Sequence, residues 1–248
     1  MFAVLENGEL SDNKKNQLVV ITGVSSGMGL AMANALLVEG YSVFGIARNI
    51  EKANIQHPNF NAKPIDLADI DALPENVADL VQEINMPVKA LINNAGIGRM
   101  GFLEQLSVKD IRLVMDTNFI SQTVVTKAFL PLLKRQGWGD LVFMGSEAAL
   151  QGARQGSIYC ASKFAVRGFA QALREECGKS GLRVTLINPG AVRTAFFDDL
   201  HFEPGPDAEN AIEVEDVVKA LLMVLQASSG TVFDEINISP RSHVWKKK

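Results

Sequence analysis

The strongest constraint on the fold of this chain is a regular alternation between short apolar segments and longer amphipathic ones. The short segments, rich in Val, Ile and Leu, predict strands at 18–21, 41–47, 62–65, 88–92, 141–144, 183–187 and 232–238. Between them, the apolar spacing predicts helices at 28–40, 73–84, 107–134, 157–179 and 214–226. Repeated β-α units of this size predict an α/β fold with one doubly wound, Rossmann-type parallel sheet and helices on both faces.

Length and charge narrow the class of protein further. With 248 residues, 47% of them hydrophobic, the chain can bury a full core, and we expect a single domain over 18–248 after a polar N-terminal extension at 1–17. The formal net charge is 24 − 28 = −4, and the one basic cluster is Lys246, Lys247 and Lys248, which we interpret as a solvated tail. This pattern predicts no nucleic-acid partner.

The sequence gives no sign of a membrane segment or a metal site. No apolar run approaches the ~18 residues needed to cross a bilayer, and the first 17 residues are too polar for a signal peptide. The cysteines, Cys160 and Cys177, and three scattered histidines form no ligand cluster or disulfide framework. We therefore expect a cytoplasmic protein that binds no metal.

A glycine-rich turn follows the first predicted strand. Gly23, Gly27 and Gly29 lie between that strand and the next predicted helix. Glycine lets the backbone approach an anion, and the free N–H groups of a helix N-terminus favour a pyrophosphate. This pattern also fits an ordinary strand-to-helix connection, so by itself it is only suggestive.

A second group of residues points to proton transfer. Tyr159 and Lys163 are four residues apart in a predicted helix, which places them on one face, and Ser146 ends the fifth predicted strand. A cation ~4 Å from the phenol, at an effective dielectric of ~20, would lower the tyrosine pKa by roughly three units. Tyr159 would then act as a general acid/base, with the Ser146 hydroxyl holding the substrate oxygen. Taken alone, the pair equally fits a half-buried ring beside an extended lysine.

With these residues in place, the chain over about 18–240 resembles the short-chain dehydrogenase/reductase family, in its single-domain branch of about 250 residues. The motifs that carry the resemblance occur in the family's order: Thr22-Gly23-x-x-x-Gly27-x-Gly29, Asp66, Asn93-Asn94-Ala95-Gly96, Asn118, Ser146, Tyr159-x-x-x-Lys163, and Pro189-Gly190 with Thr194. The resemblance implies that Tyr159 is the catalytic acid/base and Ser146 positions the substrate. It implies that Lys163 lowers the tyrosine pKa and holds the nicotinamide ribose, and that Asn118 anchors a water of the proton relay.

The resemblance also implies a nicotinamide cofactor. Asn94 would support the floor of its site and Thr194 would meet the nicotinamide carboxamide. The expected cofactor-binding positions are Gly23, Ser25, Ser26, Gly27, Met28, Arg48, Asp66, Leu67, Asn94, Ala95, Gly96, Tyr159, Lys163, Pro189, Gly190, Val192 and Thr194.

The residues after the second predicted strand favour NADP(H). NAD-specific proteins of this architecture place a carboxylate there for the ribose 2′-hydroxyl, whereas this strand ends in Ala47 and Arg48. A guanidinium suits a 2′-phosphate, so we expect NADP(H) to be preferred. If Arg48 instead extends into solvent, NAD(H) would also be accepted.

The sequence thus predicts an oxidoreductase that moves a hydride between NADP(H) and a carbonyl or secondary alcohol. The alternative is a catalytically idle protein on the same fold that senses the cofactor. A lid at about 191–212 contains Phe196, Phe197 and Phe202, which favours an apolar small-molecule substrate, although these rings also fit simple packing of the lid. The family resemblance also implies a homo-oligomer, either a tetramer or a dimer. Monomeric family members often carry a helical insertion ahead of the tyrosine, and no such insertion separates Ser146 from Tyr159 here.

Overall fold

The computed structural model describes residues 14–248 and contains one central sheet of seven strands. All neighbouring strands of this sheet are parallel, in the order β3-β2-β1-β4-β5-β6-β8. The strands are β1 Leu18–Thr22, β2 Ser42–Ala47, β3 Phe60–Pro64, β4 Val88–Asn93, β5 Gly139–Met144, β6 Leu182–Pro189 and β8 Glu235–Ile238. The order reverses between β1 and β4, and ligands of such sheets bind at this switch point, outside the carboxyl ends of the strands.

Helices cover both faces of the sheet, as the alternation predicts. They are α1 Gly27–Val38, α2 Leu73–Glu83, α3 Val108–Met115, α4 Ser121–Gln136, α5 Ser157–Cys177 and α6 Val214–Gln226. One buried apolar cluster joins the sheet to α2, α4 and α5, and a second joins its other face to α1 and α6. The strands alternate side chains between the two faces, so the five central strands β2, β1, β4, β5 and β6 contribute to both clusters. The predicted single-domain, doubly wound fold is confirmed.

The longest predicted helix, at 107–134, is divided in the structure. Ser107 caps it as expected, because its hydroxyl accepts a hydrogen bond from the Asp110 amide at 3.1 Å. After α3, however, the residues Asp116–Ile120 form a π-helical turn before α4 begins. Asn118 therefore lies in a widened turn rather than in a regular helix.

The C-terminal segment also departs from the sequence interpretation. A short strand β7, Phe202–Pro204, pairs antiparallel with β9, Trp245–Lys247. The Lys248 ammonium extends this contact by donating to the Phe197 carbonyl oxygen at 2.5 Å. The terminal lysines are exposed, as expected, but they are tied to the segment at 191–212 instead of forming a loose tail.

Most of the predicted N-terminal extension, residues 1–17, lies outside the residues that the structure describes, which begin at Lys14. Lys14 forms an ion pair with Glu39 at 2.7 Å, and the backbone carbonyl of Lys15 accepts a hydrogen bond from the Ser42 hydroxyl. The last residues of the extension therefore contact the domain beside α1 and β2.

A buried ion cluster ties three central strands together. Asp140 on β5 is 1% exposed and accepts two hydrogen bonds from the Arg183 guanidinium on β6, at 2.6 and 2.9 Å. The Lys89 ammonium on β4 lies 2.9 Å from the same carboxylate. Because a buried charge without a partner is costly, this cluster fixes the alignment of β4, β5 and β6.

We expect Asp140→Ala to destabilise the protein by about 3–5 kcal/mol, because it leaves two cations without their common carboxylate. Urea unfolding measures this loss. The exposed Asp71→Ala serves as the control and should shift the free energy of unfolding by less than about 0.5 kcal/mol. A loss below 1 kcal/mol for Asp140→Ala would show that the cluster does not hold the sheet.

Candidate active site

A cavity of about 580 Å³ opens at the carboxyl ends of the strands, beside the switch point. Three of the four candidate catalytic side chains line it: Ser146, Tyr159 and Lys163. Seven further candidate cofactor residues also line it: Met28, Asn94, Gly96, Pro189, Gly190, Val192 and Thr194. The structure therefore brings together residues that are far apart in sequence, because parallel strands end at one edge of the sheet.

Lys163 is held inside the protein, where it is 4% exposed. Its ammonium donates a hydrogen bond of 2.9 Å to the Met144 carbonyl oxygen, at the end of β5. Burial lowers the pKa of Lys163 to about 8, because the charged form loses its hydration. This helix residue is therefore fixed to the end of β5, two residues before Ser146.

Tyr159 lies one turn before Lys163 on α5 and is 9% exposed. Burial raises the pKa of Tyr159 to about 12, while the neighbouring Ser146 hydroxyl opposes this shift. The Lys163 ammonium lies 5.8 Å from the centre of the phenol ring and bonds to a backbone carbonyl instead. Burial is thus the largest influence on the Tyr159 pKa in this structure, and the lowering of that pKa by Lys163 stays a prediction from the sequence.

Asn118 does not line the cavity but lies behind it, fully buried in the π-helical turn. Its side-chain oxygen accepts from the Ile97 amide at 2.8 Å, and its amide donates to the Ile97 carbonyl oxygen at 3.0 Å. The same amide donates to the Ser162 hydroxyl, which in turn donates to the Tyr159 carbonyl oxygen. Asn118 therefore connects the loop after β4 to the backbone of Tyr159.

The glycine-rich turn has the shape that a dinucleotide requires. Gly23 and Gly27 have positive φ values of 77° and 54°, which favour glycine. A Cβ at Gly29 would overlap the Gly23 carbonyl oxygen. The Asn94 amide donates to the Thr22 carbonyl oxygen at 2.9 Å, and its buried oxygen has no partner within residues 14–248. The open turn at a helix N-terminus fits the pyrophosphate of such a cofactor, and the unpaired Asn94 oxygen, an acceptor, fits a donor such as a ribose hydroxyl.

The remaining cofactor candidates lie around this turn. A Cβ added at Gly27 would lie 3.5 Å from the Thr194 side chain, so the turn faces the segment after β6. The Gly23 amide donates to the Ile46 carbonyl oxygen, which places the end of β2 beside the turn. Arg48 and Asp66 are exposed at the adjacent ends of β2 and β3, outside the cavity. Six other candidates do not line the cavity either: Gly23, Ser25, Ser26, Gly27, Ala95 and Leu67.

The far wall of the cavity is aromatic and includes residues that the sequence analysis missed. Phe196 contacts the Tyr159 ring, with centroids 5.8 Å apart. The ring centroid of Trp245, on β9, lies 6.0 Å from that of Phe197 and 5.2 Å from that of Phe202. Trp245 lines the cavity together with His243 and Lys247. The sequence feature that could have predicted this wall is Trp245, a large aromatic residue beside the terminal lysines.

Comparison with known proteins identifies the family. The family model described as short chain dehydrogenase matches residues 17–203. The chain belongs to this family. The resemblance stated from the sequence is therefore confirmed at the level of the family.

Three similar proteins illustrate the relationship. A sepiapterin reductase from Chlorobaculum tepidum is 33% identical over 179 residues, which cover 71% of this chain and 70% of the reductase. An NADPH-dependent pterin aldehyde reductase from Arabidopsis thaliana is 32% identical and covers 86% of this chain and 89% of its own length. The crystal structure of serine dehydrogenase from Escherichia coli has a TM-score of 0.76 at 26% identity and covers 89% of this chain and 96% of its own.

The burial of Lys163 should lower the stability of the folded protein. Because the pKa of Lys163 is lowered from 10.5 to about 8, the difference of 2.5 units corresponds to a penalty of about 3 kcal/mol below pH 8. Lys163→Met removes this penalty and leaves the Met144 carbonyl oxygen without its partner, at a cost of about 1 kcal/mol. We expect the variant to be more stable than the wild type at pH 7 by about 2 kcal/mol.

The pH dependence of this gain has a defined sign. Between pH 8 and 10.5 the native lysine is neutral while the unfolded lysine keeps its proton, so wild-type stability rises with pH relative to the variant. The advantage of Lys163→Met should therefore disappear by about pH 10.5 in urea unfolding. Exposed Lys179→Met is the control. A variant that is less stable at pH 7, or a gain that does not change with pH, contradicts this assignment.

Proposed function

We propose that this protein is an NADP(H)-dependent oxidoreductase that interconverts a carbonyl compound and its alcohol. The single observation that carries the proposal is one cavity lined by Ser146, Tyr159 and Lys163, beside the glycine-rich turn and the switch point. A hydroxyl pair for a substrate oxygen lines this cavity, and the glycine-rich turn that would hold a dinucleotide lies beside it. In addition, two relatives that match most of the chain are named as reductases.

Tyr159 is the proton donor in this proposal. A phenol whose pKa is about 12 keeps its proton at neutral pH, so it can donate that proton to a carbonyl oxygen during reduction. The Ser146 hydroxyl, which faces the same ring, holds the substrate oxygen in place. The cofactor, when bound, supplies the hydride. The protein contributes position, polarity and exclusion of water.

Lys163 and Asn118 support this donor in different ways. The Lys163 ammonium, at the base of the cavity, would bond to the cofactor ribose and favour the phenolate left after proton transfer. Asn118 holds the Tyr159 backbone through Ser162 and fixes the loop that bears Ile97. We retain the relay water at Asn118 as a prediction from the family resemblance.

The preference for NADP(H) rests on the end of β2. Ala47 offers no carboxylate to a ribose 2′-hydroxyl, and Arg48 is exposed there without a hydrogen bond or ion pair to any residue from 14 to 248. A guanidinium free of protein partners is available for a 2′-phosphate. The relative from Arabidopsis thaliana is named as NADPH-dependent, which agrees with this proposal.

The shape of the cavity favours substrates with a flat or apolar body. Phe196 stands against Tyr159, and Phe197 and Trp245 continue the wall outward from it. Aromatic walls bind rings through large contact area and edge-to-face geometry. We propose that the segment 191–212 acts as the lid that closes over aromatic or other apolar aldehydes and ketones.

Replacing Tyr159 tests the assignment of the proton donor. Tyr159→Phe keeps the ring and removes the hydroxyl, so it should lower kcat by about 10²–10⁴-fold with little change in cofactor affinity. Steady-state oxidation of NADPH with a panel of aromatic aldehydes measures kcat, and calorimetry measures cofactor binding. The other tyrosine gives the control, Tyr41→Phe, which lies on the core side of β2.

More than a tenth of the wild-type kcat in Tyr159→Phe would overturn the role of the hydroxyl. A wild-type protein that binds NADPH but oxidises none of it with any carbonyl would instead support the cofactor-sensing alternative.

Replacing Arg48 tests the cofactor preference. Arg48→Ala should weaken NADPH binding by about tenfold to a hundredfold, the range expected for a charge-assisted hydrogen bond, and leave NADH affinity within about twofold. Both titrations need one fixed ionic strength, because exposed charges are screened by salt. Arg135→Ala, on the exposed end of α4, controls for loss of positive charge. Equal wild-type affinities for the two cofactors would contradict the preference.

A further inference from the structure

The residue after the proposed substrate-holding serine is a carboxylate that faces the same cavity. Glu147 begins a single 3-10 turn, Glu147–Ala149, and its side chain lines the cavity while remaining 26% exposed. The carboxylate packs closely over Gly190, where an added Cβ would lie 2.6 Å from its carboxyl carbon. Glycine at 190 therefore leaves the space that the Glu147 carboxylate occupies.

This carboxylate has one hydrogen-bond partner among residues 14–248. The Nε2 atom of His243 lies 3.1 Å from Oε2 and 3.3 Å from Oε1 of Glu147. A carboxylate can accept about four hydrogen bonds, so most of its acceptor capacity is unused. His243 comes from the C-terminal segment, 96 residues away in sequence. The contact therefore holds the carboxylate between the serine loop and the end of the chain.

The apolar walls of the cavity allow the unused hydrogen-bond acceptors of Glu147 to select among substrates. Phe197, Phe202 and Trp245 form the aromatic part of the same cavity. In a site with apolar walls, an acceptor left without a partner is costly and a hydrogen bond to it is strengthened. A site of this kind rejects analogues that lack the required donor.

We infer that Glu147 recognises a hydrogen-bond donor on the substrate, at a distance from the carbonyl that is reduced. This inference rests on the proposed function and specifies its substrate class: aldehydes or ketones with an aromatic or apolar body that carries an O–H or N–H group. His243 is a positioning residue, because it holds the carboxylate without contacting the reacting atoms.

Charge gives a second, independent consequence. Arg154, His201 and Lys247 also line the cavity, but none of them bonds to Glu147 in the part of the chain that the structure describes. A substrate with a carboxylate in place of the donor meets the negative charge of Glu147. Removal of that charge should therefore weaken the binding of ligands that carry a donor and strengthen the binding of acidic ligands. A general structural defect would not change the two affinities in opposite directions.

Calorimetry can test this without catalysis. The full chain is loaded with oxidised cofactor, so that an aldehyde binds and is not reduced. The probes are the three isomers of hydroxybenzaldehyde, their methoxy counterparts and the corresponding carboxybenzaldehydes. We expect at least one hydroxy isomer to bind the wild type about tenfold or more tightly than its methoxy partner, as for a hydrogen bond to a charged group.

Variants assign that preference to Glu147 and its partner. Glu147→Gln should reduce the hydroxy preference to about twofold or less and tighten binding of the acidic probe by threefold or more. His243→Ala should reduce the preference as well, and His243→Gln, which keeps an N–H donor, should restore it. The control Glu83→Gln, in a surface ion pair with Lys63, should change neither value.

Three results would overturn the inference: no hydroxy isomer binds, none binds better than its methoxy partner, or Glu147→Gln keeps the preference. The proposed function fails separately, if no probe is reduced when NADPH or NADH is supplied. Binding and turnover therefore distinguish the two failures.

Discussion

The hydrogen bond between the Lys163 ammonium and the Met144 carbonyl oxygen is the interaction on which the site depends. It joins the middle of α5 to the end of β5, and so fixes Tyr159 relative to Ser146. Burying an ammonium is unfavourable, which the lowered pKa of Lys163 records. The apolar cores on both faces of the sheet supply the folding stability that offsets this cost. This division between a stable scaffold and a strained edge is typical of enzyme sites.

The sequence predicted the parts of the site that depend on strand ends. Because apolar runs mark strands and parallel strands share one edge, the positions of Gly23, Asn94, Ser146 and Pro189 followed from pattern alone. The helix α6 was predicted with the bounds that the structure shows, since its apolar spacing is regular. Strand β8 is shorter than predicted, because Val232 and Phe233 precede the first ladder pair at Glu235.

Features that depend on distance or on long-range pairing were not predictable in this way. The spacing of Tyr159 and Lys163 shows that they share a helix face, but not that the ammonium bonds to a carbonyl and leaves the phenol pKa raised. The buried residues of the π-helical turn are the polar Thr117 and Asn118, so apolar periodicity does not reveal the turn. The pairing of β9 with β7 and the contact of His243 with Glu147 join segments that carry no mutual pattern.

The central claim is that a hydride reaches a carbonyl carbon inside this cavity, and isotope transfer tests it most directly. The protein is incubated with benzaldehyde and NADPH that carries deuterium on the transferred position of the nicotinamide ring, and the product is examined by mass spectrometry. We expect benzyl alcohol with one deuterium on the carbinol carbon. Bound cofactor with no labelled alcohol, for benzaldehyde and for hydroxylated aldehydes alike, would contradict it.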